Sequence, residues 1–139
     1  MVRLRGITWK ARRGYDPLVA TARAYQELHP DVAIEWEQMP WGEFTDAQRR
    51  ELVAGTGYYD LVVYDNPWVG DYGHNRWLVA LDELMTPEQA RDLEGDADPA
   101  SLESYRFGGH LWALPIDAAC QTVAYRPDLA GAAGAARSR

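Results

Sequence analysis

An α/β sandwich, in which a parallel or mixed sheet is flanked by helices, is the fold class this sequence predicts. Three observations carry the prediction. Residues 3–8 and 32–37 alternate apolar with polar side chains, as a half-buried strand does. Between them Leu18, Ala22, Tyr25 and Leu28 recur on one face of a helix. Asp60-Leu61-Val62-Val63-Tyr64-Asp65 is a continuous apolar run bounded by acids, as expected of a central strand covered on both faces. Strand, helix, strand, helix, strand in that order calls for parallel pairing through right-handed crossovers.

Taken in order, the first strand spans residues 3–8 and runs directly into Trp9. Asp16 is the expected N-cap of the first helix, with Pro17 at its first helical position and Pro30 beyond its end. The second strand covers 32–37, and Gln38-Met39-Pro40-Trp41 reads as its exit loop. From Trp41 to about Val53 a weaker helical pattern ends at Gly55-Thr56-Gly57. After the third strand, Asn66-Pro67 is placed to cap and open a short helix. Thr86-Pro87-Glu88-Gln89 fits a capping box and predicts a helix over 87–94. Two aromatic-rich arms about Gly108-Gly109 predict a hairpin, and Thr122–Tyr125 reads as one more strand. Residues 130–139 are only Ala, Gly, Arg and Ser, a tail expected to be disordered.

Length and charge narrow the function classes. The 139 residues fit one ordinary domain, and 47% hydrophobic residues suffice for its core. Residues 1–30 carry six Lys/Arg against Asp16 and Glu27, whereas the remainder carries eight against nineteen acids. An acidic excess repels phosphate backbones, so nucleic acid is not the expected partner. Charged residues or glycine interrupt every apolar run, so no membrane insertion is expected. The first residues lack the basic, apolar and small-residue regions of a secretory signal, which leaves cytoplasmic residence open for the chain as expressed.

Chemical motifs are sparse. Gly55-Thr56-Gly57 precedes a strand and lacks the third glycine of a dinucleotide fingerprint, so no cofactor is predicted. His29, His74 and His110 are isolated, without the paired spacing of a metal site, and no metal is predicted. Paired carboxylates for glycoside cleavage are supported by no local motif.

A binding site has better support. Ligands of open α/β sheets sit outside the carboxyl ends of the strands, where the loops converge. Here each exit carries a tryptophan: Trp9, Trp41 and Trp68. A sugar packs its C–H face on an aromatic plane and needs charged or amide partners for its rim hydroxyls. Gln38, Asp65 and Asn66 stand beside those tryptophans in sequence, and Asp117 follows Leu114-Pro115-Ile116 without an obvious structural duty. The competing explanation is that the indoles pack helices onto the sheet edge while Asp65 and Asn66 cap a helix.

The order of segments resembles a known family. Leu4–Trp9, Tyr15-Asp16-Pro17-Leu18, Leu28-His29-Pro30-Asp31-Val32, Tyr59–Asp65, Leu78–Asp82, Gly109–Pro115 and Val123–Leu129 together are similar to the amino-terminal lobe of family 1 extracellular solute-binding proteins. The resemblance covers residues 3–129. It implies a periplasmic-binding-protein-like type II fold, of which residues 1–129 are a partial first lobe. It further implies a small-molecule ligand, by chemistry a sugar, clamped between two lobes, delivery to an ABC transporter permease, no catalysis and a periplasmic or extracellular location. By position Trp9, Gln38, Trp41, Asp65 and Trp68 face the cleft, with Asp117 near it. The family has a second lobe, whereas this sequence passes into Ala/Gly-rich residues, so a truncated or frameshifted product with weak ligand affinity is the expectation.

Two other readings compete. A thiaminase-like enzyme of the same fold would use Cys120 as nucleophile, yet no neighbouring residue supplies the base or positive field that activates a thiol. A stand-alone module would dock a protein through its exposed aromatic edge.

Overall fold

In a computed structural model, the structure describes residues 1–117 and Arg126. The predicted strand Thr122–Tyr125, Cys120 and the tail 130–139 lie outside the described residues. The elements are β1 (Val2–Trp9), α1 (Arg12–Leu28), β2 (Val32–Met39), α2 (Trp41–Ala54) and β3 (Leu61–Val62). They continue with a 3-10 turn (Asn66–Trp68), α3 (Val69–His74), a second 3-10 turn (Leu81–Glu83), α4 (Pro87–Asp96), α5 (Pro99–Glu103), β4 (Arg106–Phe107) and β5 (His110–Leu111).

All pairs in the larger sheet are parallel, in the order β2-β1-β3, with Val2 beside Val32, Trp9 beside Met39 and Ile7 beside Val62. Partners in register share a face, and successive residues alternate between faces. Leu4 and Gly6 therefore share a side with Ile34 and Trp36, which α1 covers through Tyr15, Val19 and Ala22. Ile7 and Trp9 occupy the other side, where Ile7 meets Phe44 and Ala47 of α2 and Val63 to form the core. The sheet is thus flanked by helices on both faces, as the succession of strands and helices predicts.

The turns follow local chemistry. Gly55 ends α2 in the left-handed region at φ 60°, a conformation that side chains rarely adopt. Gly108 and Gly109, at φ 61° and 86°, turn β4 into antiparallel β5. Thr86 and Gln89 complete the capping box, with bonds of 3.2 Å from the Gln89 N–H and 2.9 Å from the Thr86 N–H. Asp82 ties the hairpin to the second 3-10 turn: it accepts the Leu111 N–H at 2.8 Å and lies 2.9 Å from His110 Nδ1.

Several sequence expectations need correction. The first helix begins at Arg12, not after Asp16, and Pro17 lies inside it. Arg12 Nε donates to Asp16 Oδ2 at 3.3 Å, so the carboxylate that would have capped a later start serves an intrahelical pair one turn on. The strand β2 runs through Met39, leaving Pro40 as the only residue between it and α2. Asp65, not Asn66, stands at the N-cap position of the turn after β3. Finally, β3 is an edge strand among the described residues, and β1 is central. Leu61–Tyr64 line, together with Leu78, Leu81 and Trp112, a groove of about 430 Å³.

Candidate ligand-binding site

Three short exits build the site. At the first, Trp9 ends β1, and the Lys10 N–H donates to the Met39 carbonyl at 2.7 Å, holding the exits of β1 and β2 side by side. At the second, Pro40 fixes the backbone at φ −53° and Trp41 opens α2, with the Phe44 N–H closing the first helical turn on the Pro40 carbonyl at 2.9 Å. At the third, the Trp68 N–H donates to the Asp65 carbonyl at 3.0 Å, so the chain turns a short step beyond β3.

These turns bring the predicted tryptophans together. The Trp9 and Trp41 ring centroids are 5.9 Å apart and meet edge to face at 79°, while Trp41 and Trp68 are also 5.9 Å apart at 34°. Both spacings are aromatic contact distances. Phe44 lies beneath, 6.2 Å from Trp9 and 5.8 Å from Trp41, and is fully buried. Trp41 remains 47% exposed on top of this support, so its ring is held without being covered. Rings in mutual contact leave no gap for a guest between them. The arrangement is a continuous aromatic wall that a flat apolar face can lie against.

Polar groups border the wall unevenly. Asp65 and Asn66 are exposed beside Trp68, and the Asp65 carboxylate makes no capping bond to the turn it precedes. Asp117 is exposed and acts on Tyr105: burial first, then the fields of Asp65 and Asp117, push the Tyr105 hydroxyl above the ordinary phenol range. Two carboxylates far apart in sequence thus act on one tyrosine through their fields. Gln38 is not brought to the wall in the same way. Its register partner is Thr8, which puts it on the sheet face opposite Trp9 and Met39.

Phe44, Tyr105 and Tyr72 are missing from the sequence reading of the site. Phe44 was detectable, since it stands one helical turn after Trp41 on the same face. Tyr72, 6.2 Å from Trp68, extends the aromatic row into the interior, where burial pushes its hydroxyl up to about 12. Tyr105 offered no local signal, because the groups that act on it, Tyr64, Asp65 and Asp117, stand in the segment after β3 and after Pro115. Tyr15 faces Trp36 and Ile34 across the α1 side of the sheet.

The fold is shared with known proteins. Residues 9–136 match the model of a family described as bacterial extracellular solute-binding protein. The chain belongs to that family. Binding proteins of Brucella abortus strain 2308 and Brucella suis biovar 1 strain 1330 are each 26% identical over 113 residues. Those matches cover 81% of this chain and 26% of each relative, so this family member spans about a quarter of their length. Among solved structures, an ABC transporter solute-binding protein of Agrobacterium radiobacter K84, in complex with ribitol, aligns at TM-score 0.70 and 27% identity. That alignment covers 96% of this chain and 33% of the other. The GacH receptor of Streptomyces glaucescens, solved unliganded and with acarbose, shares the fold at TM-score 0.66 and 20% identity, over 81% of this chain and 28% of its own. Among the described residues no helix is long and apolar enough to cross a membrane.

Proposed function

We propose that this chain forms the first-lobe wall of a solute receptor that presents a sugar or polyol to an ABC transporter permease. The observation that carries the reading is the contiguous Trp9-Trp41-Trp68 surface at the carboxyl rim of the parallel sheet. A packing role alone leaves no reason for Trp41 to stand half exposed over a buried Phe44. In this reading the indoles take the C–H face of the ligand, and Asp65, Asn66 and Asp117 accept its hydroxyls. Ribitol in the complex of the Agrobacterium protein is a ligand of the right chemistry. One wall desolvates only one side of such a ligand, so affinity for this chain is expected to be weak.

Tryptophan fluorescence titrated with ribitol and mannotriose, checked by calorimetry, tests the reading. Saturable quenching in the millimolar range is expected, with Trp41→Ala abolishing it and Asp65→Asn weakening it. If neither compound nor a wider sugar panel perturbs the indoles, or if Trp41→Ala binds as well as wild type, the sugar assignment fails. Sub-micromolar binding would instead refute the claim that a single wall limits affinity.

A further inference from the structure

The wall has a floor on the α1 side that its own residues do not provide. Gly14 lies in the first turn of α1 and is buried. A Cβ placed there would stand 2.6 Å from Cζ2 of Trp9 and 2.9 Å from both Cε2 and Cη2. Those three atoms belong to one edge of the six-membered ring of the indole, so the helix backbone itself abuts Trp9. Distances below 3.0 Å are ones real Cβ atoms essentially never show.

Backbone conformation does not explain the glycine, because its φ lies outside the positive region. Helix propensity argues against it, since among non-proline residues glycine is the least favourable in a helix. What the position demands is steric room. Trp9 also meets Phe44 at 6.2 Å and Trp41 at 5.9 Å, so a side chain at Gly14 would displace an indole already in contact with two other rings.

We propose that Gly14 is a positioning residue of the binding wall, setting the tilt of Trp9 and, through the edge-to-face contact, that of Trp41. The proposal rests on the reading that this wall receives the ligand. An alanine at the position moves the indole out of line and weakens ligand stacking about three- to tenfold, the worth of one well-placed aromatic contact.

The test compares wild type, Gly14→Ala, Trp9→Leu and the double variant in the full 139-residue chain. The indole exciton signal in circular dichroism reports ring geometry, and fluorescence titration with ribitol and mannotriose reports affinity. Gly14→Ala is expected to change the exciton signal and lower affinity. In the Trp9→Leu background, where the clashing ring is gone, the same alanine is expected to leave both affinity and thermal midpoint unchanged or to raise the midpoint. An exciton signal and affinity unaltered by Gly14→Ala overturn the proposal. So does a loss of stability from the alanine that persists without the indole, a comparison that holds even if the single variant fails to fold. If wild type binds neither probe yet Gly14→Ala still alters the exciton signal, the ligand reading fails while the positioning role stands.

Discussion

Replacing Gln48 with methionine should make the protein more stable. Gln48 sits on the buried face of α2 with Phe44 and Ala47, is 0% exposed, and neither its Oε1 nor its Nε2 has a hydrogen-bond partner among the described residues. Burying an amide without compensation costs on the order of 1–3 kcal/mol in mutational series. Methionine has nearly the same length and flexibility, so it fills the space without a cavity, and its helix propensity is close to that of glutamine. The polar penalty is thus the main quantity that changes. We expect Gln48→Met to add about 1–3 kcal/mol, with each kcal/mol raising the thermal midpoint about 3–5 °C in a chain of this size. Urea unfolding followed by far-UV circular dichroism measures this as a higher midpoint at an unchanged slope. Gln48→Ala serves as the contrast, since it removes the same amide but leaves a cavity and should not stabilise. A Gln48→Met midpoint equal to or below that of wild type would show that the amide is satisfied in solution, and the accounting of this core would be wrong.

Other perturbations probe separate parts of the molecule. Phe44→Ala removes the buried ring under Trp9 and Trp41; a loss of about 3–5 kcal/mol and a red-shifted indole emission are expected, read by denaturation and fluorescence. Asp82 is held below the ordinary carboxylate range, first by the Leu111 N–H and further by His110. A depressed folded-state value stabilises above the unfolded one and is lost as pH falls through it. Asp82→Asn should therefore be less stable than wild type at neutral pH, with the gap closing below about pH 4 in a urea series. The gap should stay under about 1 kcal/mol, because the pair is partly exposed and solvent screens it. Thr86→Ala breaks the capping box of α4 and should cost about 1 kcal/mol without altering the indole signal, measured by the same unfolding curves.

The sequence and the structure agree most closely where a signal is local. Alternation over residues 3–8 and 32–37, the capping box at Thr86 and the Gly-Gly turn each act within a few residues, and each produced the expected element. The start of α1 did not follow its local signal. Asp16-Pro17 is a good helix opening in isolation, but Arg12 pairs with Asp16 and Gly14 packs under Trp9, and those contacts carry the helix back one turn. The apolar run Leu61–Val63 could not reveal its neighbours either. A central strand and an edge strand that borders an apolar groove with Leu78, Leu81 and Trp112 draw on the same residue types.

What the sequence determined by itself was a succession of elements whose exits each carry a tryptophan, because hydrophobic period and turn chemistry act over short stretches of chain. What only the tertiary structure decided was the spacing of those indoles, the face on which Gln38 falls, and the joint field of Asp65 and Asp117 on Tyr105. Register shifts a side chain from one face of a sheet to the other with a single residue, and residues distant in the chain meet only through packing. Neither is written in any one segment.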